Sequence, residues 1–200
     1  VAIASNGTMV YLRGSAAATR SLVWVDRMGR EEPVPAPVRT YVYPRISPDG
    51  TRVALDIRDQ ESDIWIWDFE HQTLTRLTDS PALDQFPVWT PDRRRVVFSS
   101  QRAGVVNMFS QAADGTGAVV RLMESPNAQQ SQAITPDGTQ LIFRENAANT
   151  GQDLLVMPLQ PPGRPQPLVQ TMFVEPNGEV SPDGRWLAYE SNQSGQFEIY

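Results

Sequence analysis

Apolar residues in this chain come in short runs, each about a strand long and each closed by a polar turn. One set of runs covers residues 9–13, 52–56, 95–99, 140–144 and 186–190. A polar loop follows each, and a second set covers 21–25, 63–67, 107–110, 153–157 and 198–200. A third set is marked by single aliphatic anchors, Val34, Leu77, Leu122 and Leu168. A fourth is marked by an apolar residue just ahead of a turn: Ile46, Trp89, Ile134 and Val180. Short runs rich in β-branched and aromatic residues and bounded by turn signals predict strands. No stretch sustains the 3.6-residue period of an amphipathic helix, and 17 prolines oppose long helices. In the run 63–67, Trp65 and Trp67 fall on one face and Ile64 and Ile66 on the other. A strand that is apolar on both faces is expected where both are covered.

The turns themselves repeat. Ser47-Pro48-Asp49-Gly50 returns as Thr90-Pro91-Asp92-Arg93, as Thr135-Pro136-Asp137-Gly138 and as Ser181-Pro182-Asp183-Gly184. A degenerate first copy is Ser5-Asn6-Gly7-Thr8. The spacings between Gly7, Gly50, Arg93, Gly138 and Gly184 are 43, 43, 45 and 46 residues. Proline presets one φ angle of a tight turn, the Asp side chain bonds turn amides, and glycine accepts the left-handed conformation that closes it. Arg93, at the glycine position, must take that conformation at some cost or change the turn type. Each motif is therefore a hairpin between the first and second strands of a unit. Its aspartates, Asp49, Asp92, Asp137 and Asp183, read as turn formers rather than as ligands of one ion.

Four strands per unit and a period in this range predict an all-β chain, a β-propeller of four-stranded antiparallel blades. The blades are expected at about residues 1–38, 39–81, 82–126, 127–172 and 173–200. The fifth is incomplete, and a finished domain does not end on an unpaired strand edge. The expectation is a piece of a six-bladed or larger propeller, a five-bladed ring with an incomplete last blade, or a ring completed by another chain. Tyr11, Leu55, Phe98, Phe143 and Tyr189 occupy equivalent positions and should form the core between blades.

The repeat resembles the TolB-like, WD40-like propeller repeat family. The residues that carry the resemblance in the third unit are Trp89-Thr90-Pro91-Asp92, the strand 96–100, Arg102 with Gly104, and Asn107-Met108-Phe109. In the fifth they are Val180-Ser181-Pro182-Asp183-Gly184, Trp186-Leu187-Ala188-Tyr189, Ser191, Gly195 and Glu198-Ile199-Tyr200. Arg76-Leu77-Thr78 matches the close of a blade. The resemblance covers nearly the whole chain. It implies about six blades in a bacterial protein and a periplasmic or other extracytoplasmic setting. It does not imply one function, because the repeat serves envelope proteins, kinase sensor regions and the gating propellers of prolyl-oligopeptidase-type hydrolases.

Composition narrows the chemistry. The chain of 200 residues has no cysteine, one histidine (His71) and no lysine, so all 17 of its basic residues are arginine. Disulfides, thiolate metal sites, multi-histidine metal sites, Schiff-base chemistry and a P-loop lysine are thereby excluded. There is no Gly-x-Ser-x-Gly elbow, and His71 sits in an outer turn. The net charge of −6 opposes nucleic-acid binding, and Arg93-Arg94-Arg95 reads as a solvated face. No apolar stretch approaches the length of a membrane span.

These exclusions favour a non-catalytic binding module without metal or cofactor, whose partner is a protein, a peptide or a small ligand, or the remainder of its own propeller. The alternative is an accessory propeller of a larger enzyme, either the gate of a prolyl-oligopeptidase-type serine hydrolase or the sensor region of a bacterial serine/threonine kinase. Function on a rigid scaffold concentrates in loops. The candidate rim is where the inner strands start, close to the loops at 14–20, 57–62, 101–106, 145–152 and 191–196. Its candidate residues are Tyr43, Arg45, Gln85, Phe86, Gln130, Gln132, Asn177 and Glu179, with Arg58, Arg102 and Arg144 as forks for carboxylates.

Overall fold

The computed structural model describes residues 2–3, 9–13 and 19–200. The first motif copy at residues 5–8 and most of the first rim loop, 14–18, lie outside the described residues. Four complete antiparallel sheets follow one another, each in simple sequence order from inner to outer strand. The first holds β1 (Ala2–Ile3), β2 (Met9–Arg13), β3 (Ser21–Val25) and β4 (Glu31–Pro33). The second holds β5 (Tyr41–Ile46), β6 (Arg52–Arg58), β7 (Ser62–Asp68) and β8 (Thr73–Arg76). The third holds β9 (Asp84–Trp89), β10 (Arg95–Ser100), β11 (Asn107–Ala112) and β12 (Val120–Arg121). The fourth holds β13 (Gln129–Ile134), β14 (Gln140–Ala147), β15 (Gly151–Pro158) and β16 (Gln166–Val169). The fold is thus all-β, and it is built of four-stranded blades.

The core lies between blades rather than within one. Val10 and Leu22 of the first blade pack with Val53, Leu55 and Trp67 of the second. Ile64 and Ile66, on the opposite face of that second blade, pack with Trp89, Val96 and Phe98 of the third. Val97 and Met108 of the third pack with Leu141, Phe143 and Met157 of the fourth. The two faces read from the run 63–67 therefore meet different neighbours. Leu55, Phe98 and Phe143 are fully buried, whereas Tyr11 and Tyr189 are only half-buried.

The turn motif forms as its residues dictate. The Gly50 amide donates to the Ser47 carbonyl at 2.8 Å, and φ at Gly50 is +75°. The Ser47 hydroxyl donates to Asp49 at 2.6 Å and accepts from the Arg52 amide at 3.0 Å. Thr90, Thr135 and Ser181 make the same bond to Asp92, Asp137 and Asp183. Arg93 takes the left-handed conformation itself, at φ +63°. Its guanidinium reaches back 2.7 Å to Asp49 of the preceding blade, so the residue that strains its own turn also ties two turns together.

These bonds set an acid dependence. Burial opposes ionisation of Asp49, but bonds from Ser47, Arg93 and Thr51 outweigh it and hold its carboxyl far below the usual range. Thr90, Thr135 and Ser181 do the same for Asp92, Asp137 and Asp183. A lowered folded pKa means that the unfolded chain takes up the proton first. The stability these carboxylates supply is complete above the unfolded value of about 3.9 and is lost as pH falls through the lower folded values. Asp92→Asn is therefore less stable than the parent at pH 6, and the gap between their denaturation midpoints closes toward pH 2. A gap that stays constant over that range rejects this role for the turn carboxylates.

Two expectations are corrected. Leu168 does not anchor the outer strand of the fourth blade: it is 42% exposed. The register between β15 and β16 shifts at Leu154/Leu155, so that Val169 pairs with Leu154, and a slip of one residue exchanges the faces of a strand. In the fifth unit the expected run 186–190 is broken. β17 (Glu179–Val180) pairs with β18 (Leu187–Ala188), and β19 (Glu190–Ser191) pairs with β20 (Glu198–Ile199). Tyr189, in the gap, still exchanges backbone bonds with Tyr200 at 3.0 and 2.8 Å. Ile199 is 70% exposed, whereas its counterparts Ile64, Met108 and Leu154 are fully buried. In the second and third blades that burial comes from the next blade in sequence.

Candidate functional site

The inner strands β5, β9, β13 and β17 neighbour one another in turn. Arg45 of β5 reaches Glu179 of β17 at 2.6 Å, so the second and fifth blades face each other across the centre. At the start of β5 one extra residue is accommodated between Val42 and Arg45, and the pairing of β9 with β10 is irregular at the same level. Such bulges re-aim side chains. Tyr43 and Phe86 sit at these irregularities in the left-handed region, at φ +45° and +55°. For bulky residues that conformation costs about 1–3 kcal/mol each. It brings the two rings together from adjacent blades, with centroids 4.5 Å apart, and Tyr43 remains 40% exposed.

The three rim arginines differ in what neutralises them. Arg58 lies 5.7 and 5.8 Å from the Tyr43 and Phe86 ring centroids and bonds Asp56 through two nitrogens at 3.0 and 2.7 Å. Asp56 is fully buried. Burial pushes its carboxyl up, against the pull of Arg58. Arg102 bonds the fully buried Asp84 at 2.7 Å and lies over the Phe98 and Phe109 rings, above the blade core. These two forks are thus taken by the chain's own carboxylates.

Arg144 is held differently. It donates to the side-chain oxygens of Gln130 and, at 3.0 Å, of Gln152. Its buried Nε has no hydrogen-bond partner. Among the described residues no carboxylate is within ion-pair distance of it. Burial lowers its pKa from the usual arginine value. The Tyr43 phenol lies within electrostatic reach of both Arg58 and Arg144. Tyr43, Phe86, Arg58, Arg144 and Gln130 are thus linked by ring contacts, a hydrogen bond and charge into one cluster, the candidate mouth.

The remaining candidates are dispersed around it. Gln85 bonds Ser62 at 3.3 Å, Gln132 is buried in β13, and Asn177 is exposed at φ +58°. Asp56 and Gln152 were not among the sequence candidates. Asp56 carried a usable signal, since it stands two residues from Arg58 on the same face of one strand. His71 lies in the outer turn, 3.0 Å from Asp68 and exposed. A cavity of about 250 Å³ lies instead between the third and fourth blades at the rim of the turns, lined by Asp92, Arg95, Val97 and Asp137. Its Arg95 is already bonded to Ser110. Among the described residues no helix is long and apolar enough to cross a membrane.

The blade order, the turn motif and its period can be set against known proteins. The family model described as the TolB beta propeller domain matches residues 17–200. The chain belongs to this family. The Tol-Pal system protein TolB of Wolinella succinogenes is 32% identical over 109 residues, which is 54% of this chain and 25% of that protein. The crystal structure of TolB from Acinetobacter baumannii has the same fold, with a TM-score of 0.79 at 19% identity over 99% of this chain and 52% of that one. A prolyl endopeptidase structure matches with a TM-score of 0.65 at 14% identity, over 97% of this chain and 32% of that one. The chain spans a third or less of the length of the curated relatives it matches. The same fold thus occurs in TolB and in a prolyl endopeptidase.

Proposed function

We propose that this TolB-type propeller is a non-catalytic binding module, acting outside the cytoplasm, that receives a protein or peptide at the mouth formed by Tyr43, Phe86, Arg58 and Arg144. The observation that carries this reading is the aromatic pair of exposed Tyr43 and half-buried Phe86, held by strained backbone and flanked by two arginines. Aromatic residues and arginine are the types that anchor protein interfaces. The relatives named as Tol-Pal system proteins support a protein partner.

The test is a photo-crosslinking amino acid at Tyr43, with one at His71 as the control on an outer turn, in a bacterial envelope extract. One protein captured from position 43, absent from position 71 and lost on Phe86→Ala, is the expected result. Equal capture from both positions, or none from position 43, rejects the reading. The likeness to a prolyl endopeptidase keeps one alternative, an accessory propeller that gates a hydrolase. A nucleophile elbow in the parent reading frame beyond Tyr200 would select it.

A further inference from the structure

Arg144 stands seven residues beyond the turn aspartate Asp137, where the second and third blades carry Asp56 and Ser99. The repeat therefore does not require a cation there, since a blade folds with an acid or a hydroxyl at the same place. A half-buried cation without a counter-charge is costly to keep. Here two amide oxygens orient it without neutralising it, and its Nε donor is buried without a partner. Nη1 and Nη2 each keep one N–H beyond those given to Gln152 and Gln130, so the planar guanidinium, fixed in orientation, retains two donors for a carboxylate. The neighbouring Arg58 is already answered by Asp56, so the mouth holds one unanswered charge beside an aromatic pair.

We infer that the mouth is a carboxylate receptor, in which Arg144 takes the carboxylate and the Tyr43–Phe86 pair takes the apolar group attached to it. The inference rests on the proposed binding role of this rim and names its ligand class. A single unanswered guanidinium matches a monoanion. A dianionic phosphate would meet it in the field of a chain of net charge −6.

The test is an NMR titration of the full chain with 3-phenylpropionate, with 3-phenylpropionamide and with inorganic phosphate. Phenylpropionate should shift the Tyr43 and Phe86 ring signals and bind at least tenfold more tightly than its amide. R144Q should abolish that preference and leave the affinity for the amide within twofold. Should R144Q fail to fold, R144M carries the same test, because it keeps an apolar stem of similar reach and removes the charge. Equal binding of acid and amide, an acid preference that survives in the arginine variant, or phosphate binding more tightly than phenylpropionate each overturns the inference. The peptide Gly-Gly-Phe and its C-terminal amide then separate the sources. A free-acid peptide that binds more tightly than phenylpropionate assigns a peptide terminus, and a weaker one assigns a small acid. The two readings also fail separately. Carboxylate binding without crosslinked capture removes the protein partner, and capture that is insensitive to R144Q removes the carboxylate.

Discussion

Phe143→Ala should cost the fold about 3–5 kcal/mol, the range for deleting a buried aromatic ring and leaving its cavity. Phe143 is fully buried. It packs with Val97 and Met108 of the preceding blade and with Leu141 and Met157 of its own. The extent of collapse around the void sets the cost. Collapse is limited here because β14 is laddered to β13 and to β15 along most of its length. The strand cannot shift toward the third blade without breaking bonds on both sides. Urea denaturation should show a lower midpoint with an unchanged slope, the mark of lost stability without a change in the area exposed on unfolding. An unchanged midpoint would mean that Phe143 does not face the third blade.

Arg102→Ala should cost a similar amount by a different mechanism. Its guanidinium sits 2.7 Å from Asp84, which is fully buried. Removing the arginine leaves a buried carboxylate without a counter-ion, a loss of about 3–5 kcal/mol. Burial already pushes the Asp84 carboxyl up, and the loss of Arg102 pushes it further. A raised folded pKa stabilises the fold only below that pKa, because the folded state then holds the proton more tightly than the unfolded chain. The deficit of Arg102→Ala should therefore be largest at pH 7 and shrink toward pH 4. The double variant Asp84→Asn/Arg102→Met removes both charges and should recover much of the loss, since a buried pair replaced as a whole is often neutral. A deficit independent of pH, or a double variant as unstable as the single one, would show that the pair does not govern this site.

What the sequence disclosed follows from where its signals are local. The turn at Arg93 could be read directly, because the alternatives open to a non-glycine residue at that position are few, and the structure takes one of them. The opposed faces of Ile64/Ile66 and Trp65/Trp67 could be read because strand geometry fixes a period of two. Leu55, Phe98 and Phe143 followed from the repeat register. The exposure of Leu168 could not be read, since a register slip between β15 and β16 leaves no mark in either strand alone. The mouth was legible as a set of residue types and not as a constellation. Asp84 and Arg102 are joined through the pairing of two strands, and the Tyr43–Phe86 contact depends on irregular backbone in both blades. The two-residue spacing of Asp56 and Arg58 carries their pairing, but nothing in a one-dimensional pattern marks Arg102 as answered by Asp84 or Arg144 as lacking a carboxylate.

The Arg45–Glu179 bridge makes the stack of blades more than a nearest-neighbour array. In such an array each unit feels only the units on either side, yet this contact couples the second blade directly to the fifth. Its strength is small, because the two side chains are 27% and 55% exposed and ion pairs in that setting contribute about 0–1 kcal/mol. The aliphatic and aromatic side chains between adjacent blades contribute about 1.5–3 kcal/mol each when fully buried. The latch therefore adds little to what holds the second and fifth blades in place, which is set by the side chains packed between each blade and the next.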